Sequence, residues 1–124
     1  LKILIFGSKG MVGSSLGRIL NKNAKFELDL SSRDDTDLFE PTDTYTKIKK
    51  SNPDVIINAA ARVGGIFANN TKRVSFILDN LKINMNILEA CIEFQNIKII
   101  NLGSSCIYPL HSENPIKEDE FMNG

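Results

Sequence analysis

Lys2-Ile-Leu-Ile-Phe-Gly-Ser-Lys-Gly-Met-Val-Gly13 is the stretch whose reading decides the fold. Lys2–Phe6 is a short apolar run of the kind a buried strand needs, and a helical pattern follows from Met11 to about Asn21. Between them three glycines fall at positions 7, 10 and 13. Glycines also mark ordinary turns. Directly after a strand and at the opening of a helix, however, they permit a tight turn, close backbone approach to a phosphate, and close helix–strand packing. The helix start then presents free N–H groups and a partial positive charge to an anion.

Working outward, strands and helices alternate. Phe26–Leu30 is a second strand candidate, a polar loop Ser31–Asp37 follows, and a helix runs from about Pro41 to Lys50, with proline in its first turn. Asn52-Pro53-Asp54 ends it, and Val55–Ile57 is a third strand. After the small-residue loop Ala59–Gly65, a long helix is expected from about Thr71 to Phe94, with Val74, Ile77, Leu78, Leu81, Met85, Leu88, Cys91 and Ile92 as its inner stripe. In the first helix Val12, Leu16, Ile19 and Leu20 form the corresponding face. Ile97–Leu102 reads as a fourth, buried strand. Such alternation predicts an α/β fold, a Rossmann-type doubly wound parallel sheet. The expected unit is one N-terminal nucleotide-binding domain over 1–124, incomplete and truncated after about the fourth strand, with no substrate domain.

Composition narrows the function classes. The 124 residues carry 15 lysines and arginines against 15 aspartates and glutamates, so the formal net charge is zero. That balance points to neither nucleic acid nor an acidic membrane as partner. No run approaches the roughly 20 apolar residues of a bilayer span. Cys91 and Cys106 make no disulfide framework and suit a reducing cytoplasm. No metal-ligand cluster stands out. The chain opens in a strand without an initiator methionine or a signal-peptide plan, and both ends read as cut.

Leu102-Gly-Ser-Ser-Cys-Ile-Tyr-Pro109 places two hydroxyls and a thiol at the carboxyl end of the fourth strand, where ligands bind in open α/β sheets. On the residues alone, Ser104 and Ser105 satisfy loose backbone groups, and Cys106 is a small hydrophobe. The cofactor question turns on the second strand. Asp29 is the tempting ribose ligand, but it lies inside the strand pattern, and Ser31-Ser32-Arg33 follows. Neutral serines with Arg33, and Lys9 in the glycine loop, suit the 2′-phosphate of NADP; as ordinary surface charges they would be solvated.

Four runs together are specific: the GxxGxxG loop, Arg33-Asp-Asp-Thr-Asp-Leu38, Asn58-Ala-Ala-Ala-Arg-Val-Gly-Gly-Ile66 and Leu102–Pro109. They resemble the GDP-L-fucose synthase family, in the extended sugar-nucleotide branch of the short-chain dehydrogenase/reductases, over essentially the whole chain. The resemblance implies an NADP site of Gly7, Ser8, Lys9, Gly10, Met11, Val12, Gly13, Arg33, Asp37, Leu38, Ala60, Leu102, Gly103 and Ser105. It implies that Ser104 hydrogen-bonds the keto oxygen of a GDP-sugar and that Cys106 is the acid/base of epimerisation. Thiols titrate near 8.5, within reach of such a role. Lys9 stands where the family often has arginine, which keeps the charge and loses the bidentate fork. A cytoplasmic homodimer is implied too.

The superfamily's proton donor is a tyrosine with lysine four residues on. Tyr45 and Lys49 fit that formula but lie in the helix between strands two and three, and are read as structural. The family's pair is expected beyond Gly124, leaving residues 1–124 inactive alone. Cys91 is read as core and Tyr108 as packing or a cofactor-side contact; His111 is given no role. The competing readings are another extended sugar-nucleotide epimerase or dehydratase, which would lack the Cys106 context, and a non-catalytic nucleotide-binding module.

Overall fold

The computed structural model describes residues 1–94 and 96–123. Four parallel strands, β1 (Lys2–Phe6), β2 (Glu27–Ser31), β3 (Val55–Asn58) and β4 (Lys98–Asn101), form one sheet in the order β2-β1-β3-β4. The chain moves from β1 to one side, then returns to the other, so the topological switch point lies between β1 and β3. That crevice is where doubly wound sheets bind ligands.

Helix α1 (Met11–Leu20) lies on one face of the sheet, and α2 (Pro41–Ser51) and α4 (Arg73–Ile92) pack together on the other. The period-2 strand pattern supplies both cores. Leu4, Phe6 and Ile56 point toward α2 and α4, joining Leu38, Ile48, Ile83, Ile87 and Ala90. Ile3, Ile5 and Ile57 point the other way, toward Leu16 and Leu20 of α1. Pro41 opens α2, Lys49 and Lys50 lie in its last turn, and Asn52 ends it in the left-handed region at φ 44°.

Several expectations about faces and ends are corrected. In α1, Leu16 and Leu20 pack inward, but Val12 and Ile19 are exposed. The buried residues are Gly13, set against the turn at Gly7, and Gly17, which lies over the Leu30 side chain. The long helix forms close to its expected bounds as α4, and a short helix that was not expected, α3 (Ile66–Thr71), precedes it, the two meeting at Lys72. The buried face of α4 is Phe76, Ile83, Asn86, Ile87 and Ala90. Of the expected inner stripe, Cys91 packs against the core, while Val74, Ile77, Leu78, Leu81, Met85, Leu88 and Ile92 are exposed. The helix is apolar on two sides, and the aliphatic weight lies on the outer one. β4 is an edge strand with Ile100 exposed, not a buried one.

Candidate functional site

Gly7 turns the chain out of β1 with φ 77°, a conformation that favours glycine. A Cβ there would also lie 2.7 Å from the Ala59 carbonyl and the Ala60 nitrogen, at the mouth of the switch point. Gly10 closes the turn by donating its N–H to Gly7 O at 2.9 Å. A Cβ on Gly13 would meet Gly7 O at 2.2 Å, so α1 can sit on the turn only with glycine at that position. The helix begins at Gly10 without a side-chain cap. The amides of Met11, Val12 and Gly13 therefore have no intrahelical acceptor and remain available to an anion. Met11 and Val12 are exposed beside them. Ser8 donates its N–H to Ser31 O at 3.0 Å, tying the loop to the end of β2.

A cleft of about 740 Å³, open to solvent, lies over these residues. Gly7, Lys9 and Gly10 form one wall, Ser31, Ser32, Arg33, Thr36, Asp37 and Leu38 a second, and Ala59, Ala60 and Ala61 a third. The carboxyl ends of β1, β2 and β3 thus converge on one space. Arg33 is exposed at its rim, and Leu38 joins its wall to the core. Asp37 organises the turn by accepting the Phe39 N–H at 2.9 Å. Ser31 and Ser32, which entered the reading only as neutral residues, are buried, and the Ser31 hydroxyl bonds that of Thr36 at 2.9 Å. Asp35 accepts both the N–H and the hydroxyl of Ser32, which hold its carboxyl below the usual range. A hydroxyl three residues before an acid, Ser32 and Asp35, and another five before a threonine, Ser31 and Thr36, were the available signal for this turn.

Asp29 does not reach the cleft. It faces α2 and accepts Lys47 Nζ at 2.7 Å. Burial alone would raise its carboxyl, but Lys47, by hydrogen bond and charge, leads the nearby groups that together outweigh burial and hold it low. Ser31, not Asp29, ends the strand beside the cleft. Lys9 crosses from the glycine loop to Asp34 at 2.6 Å, with both side chains largely exposed.

Leu102, Gly103, Ser104, Ser105 and Cys106 leave β4 alongside β3 and outside the walls of this cleft. The Leu102 N–H donates to Asn58 O at 3.3 Å, which keeps the segment next to Ala59–Ala61. Ser104 caps a short 3₁₀ turn over Ser105–Ile107: its Oγ accepts the Cys106 N–H at 3.2 Å. The backbone bond occupies an acceptor position and leaves the Ser104 O–H free to donate. Cys106 is exposed. One turn therefore carries a free hydroxyl donor and an accessible thiol.

An asparagine network missed in the sequence braces these loops. Asn58, buried at the end of β3, donates to Asn101 Oδ1 at 2.8 Å and Asn84 Oδ1 at 3.2 Å, and its own Oδ1 accepts the Ala60 N–H at 3.1 Å. Asn80 holds both backbone groups of Arg62, at 2.8 and 3.0 Å. The Arg62 guanidinium pairs with Asp79 and lies over the Phe76 ring. Tyr45 and Lys49 belong to helix packing instead. The Tyr45 hydroxyl donates to Glu93 at 2.8 Å, Lys49 lies over its ring, and Phe94 packs beside it. Burial pushes the Cys91 thiol up, and no mechanism needs it.

A parallel sheet with a three-glycine turn at its switch point and a cleft across three strand ends defines a nucleotide-cofactor domain. Residues 3–123 match the NAD dependent epimerase/dehydratase family, and the chain belongs to it. It is 38% identical to the GDP-L-fucose synthase of Escherichia coli strain K12 across 99% of this chain and 38% of that protein. Its fold superposes with a TM-score of 0.87 on a Campylobacter jejuni GDP-6-OMe-4-keto-L-xylo-heptose reductase, at 31% identity, covering 99% of this chain and 35% of the other. A GDP-L-fucose synthetase from Naegleria fowleri bound to NADP gives a TM-score of 0.84 at 32% identity, covering 99% and 36%. The chain thus spans little more than a third of the length of the relatives it matches.

Proposed function

We propose that this chain is the NADP-binding part of an epimerase–reductase that converts GDP-4-keto-6-deoxy-D-mannose to GDP-L-fucose. The observation that carries the reading is the Ser104–Cys106 turn, a hydroxyl donor and a thiol held together beside the cofactor cleft. The cleft suits the cofactor chemically, because glycine positions keep its floor open, α1 offers free amides to a diphosphate, and Lys9 and Arg33 offer cations to a 2′-phosphate. When bound, the reduced nicotinamide supplies hydride for the ketone. Ser104 donates its O–H to the keto oxygen and strengthens that bond as negative charge grows there. Cys106 removes and returns protons on the carbons flanking the ketone. The residue that protonates the alkoxide is proposed to lie outside residues 1–124, which therefore should not turn over sugar by themselves.

The test supplies full-length protein with GDP-4-keto-6-deoxymannose and NADPH and identifies the product by NMR. GDP-L-fucose supports the reading, whereas a reduced sugar with unchanged configuration beside the ketone refutes the epimerase step. The similarity to a GDP-heptose reductase favours a second reading, reduction of a different GDP-4-keto sugar at the same turn. Competition between the two keto sugars separates them. The exposed aliphatic stripe of α4 supports a homodimer formed by helix packing, which sedimentation measurements of mass in solution can check. Two free cysteines suit action in the cytoplasm, and among the described residues no helix is long and apolar enough to cross a membrane.

A further inference from the structure

Lys9 lines the cleft beside Arg33, whereas Asp34 stands just outside it and holds the Lys9 ammonium at 2.6 Å. The neighbouring acid, Asp35, is already engaged by two groups of Ser32. Among the described residues, the Asp34 carboxylate has Lys9 as its one hydrogen-bonding or ion-pair partner, and Arg33 makes no ion pair. The side chains of Lys9 and Asp34 are 72% and 76% exposed, so neither is locked by packing. A lysine offers one compact charge, unlike the fork of an arginine. A phosphate dianion reaching that charge must approach a carboxylate already in contact with it.

Resting on the NADP reading above, we propose that Asp34 is a resident counter-ion on Lys9 that a 2′-phosphate must displace, and that it thereby sets how tightly the site holds phosphorylated over unphosphorylated nucleotides. Arg33, without an acidic partner, meets the phosphate first; Lys9 adds its charge once it swings from Asp34. Asp34 is a specificity-setting residue of this site and takes no part in the chemistry of the sugar. It keeps the cofactor exchangeable by lowering its affinity. The effect is modest, up to about fivefold in affinity, because solvent screens exposed ion pairs.

The experiment titrates full-length protein with 2′,5′-ADP and with 5′-AMP by calorimetry, for wild type, Asp34→Asn, Lys9→Gln and the double variant. Asp34→Asn is expected to bind 2′,5′-ADP roughly two- to fivefold more tightly and 5′-AMP unchanged. The gain should shrink in the Lys9→Gln background. Weaker 2′,5′-ADP binding by Asp34→Asn would show that Asp34 orients Lys9 and overturn the proposal, as would no change. Equal tightening for both nucleotides would make it a general field effect and overturn it too. If wild type itself binds 2′,5′-ADP no better than 5′-AMP, the NADP reading fails and takes the proposal with it.

Discussion

Gly7 and Ala59 touch across the switch point: the turn out of β1 passes so close to the exit of β3 that a Cβ on Gly7 would sit 2.7 Å from the Ala59 carbonyl. Both partners at this contact are backbone, so neither can swing away. Gly7→Ala should therefore combine a clash with an unfavourable φ of 77° and cost on the order of 1–3 kcal/mol or more. The measurements are the melting temperature and nucleotide affinity of full-length protein. An unshifted melting temperature would mean that the loop has another low-energy course.

Arg33→Asp places a carboxylate at the cleft rim, where the 2′-phosphate is proposed to lie. Affinity for 2′,5′-ADP should fall about tenfold or more, the worth of a charged hydrogen bond, while 5′-AMP changes little. Unchanged discrimination would remove Arg33 from the site.

Ser104 and Cys106 share a turn but should separate in function. Ser104→Ala should lower kcat for reduction by roughly 10²–10³, as loss of a donor to a developing oxyanion does. Cys106→Ser should abolish exchange of solvent deuterium into the carbons beside the ketone while sparing hydride transfer to a substrate needing no epimerisation. Normal exchange in that variant would return Cys106 to a bystander.

Asp29 makes stability depend on acidity. Its folded carboxyl lies below the ordinary value, so its stabilisation is complete above the unfolded value of about 3.9 and fades as pH falls through the lower folded value. Asp29→Asn should cost about 1–3 kcal/mol at neutral pH, the scale of a hydrogen bond to a charged group, and much less in strong acid. Denaturant titrations at both pH values decide; an equal loss at each would mean that packing, not the ion pair with Lys47, is involved.

Tyr45→Phe removes the hydrogen bond to Glu93 between α2 and the end of α4. A small loss of stability should follow, seen as a slightly lower melting temperature, with turnover of full-length protein intact. A thousandfold loss of turnover would reinstate the Tyr45–Lys49 pair as catalytic.

The β1–glycine–α1 unit was legible because its signals are local: an apolar run, glycine spacing and helical periodicity occur within twenty residues. Its long-range half was not. That Gly7 meets Ala59 depends on strand order, which no local pattern carries. Asp29 was set aside because it lies inside the strand, and its bond to Lys47 supplies the physical reason. The faces of α4 were misread because hydropathy weighs Leu78, Leu81 and Met85 above a face that includes Asn86, yet the buried Asn86 amide donates to Leu38 O. A hydrogen-bonded asparagine can be as much an interior residue as a leucine.

The asparagines have a consequence for how α4 finds its seat. A helix apolar on two sides could bury either one at similar hydrophobic gain, so greasiness alone leaves its rotation about its own axis undecided. Asn80, Asn84 and Asn86 remove the ambiguity, since their amides meet Arg62, Asn58 and Leu38 in one rotational setting only. Turned the other way, the helix would bury leucines but strand the Asn58 amide and the backbone groups it serves. The polar ladder works as a key: it adds little to how strongly the helix is held and fixes which side it shows to the strand ends. The outward aliphatic stripe is thereby always presented on the same face, ready for whatever packs there.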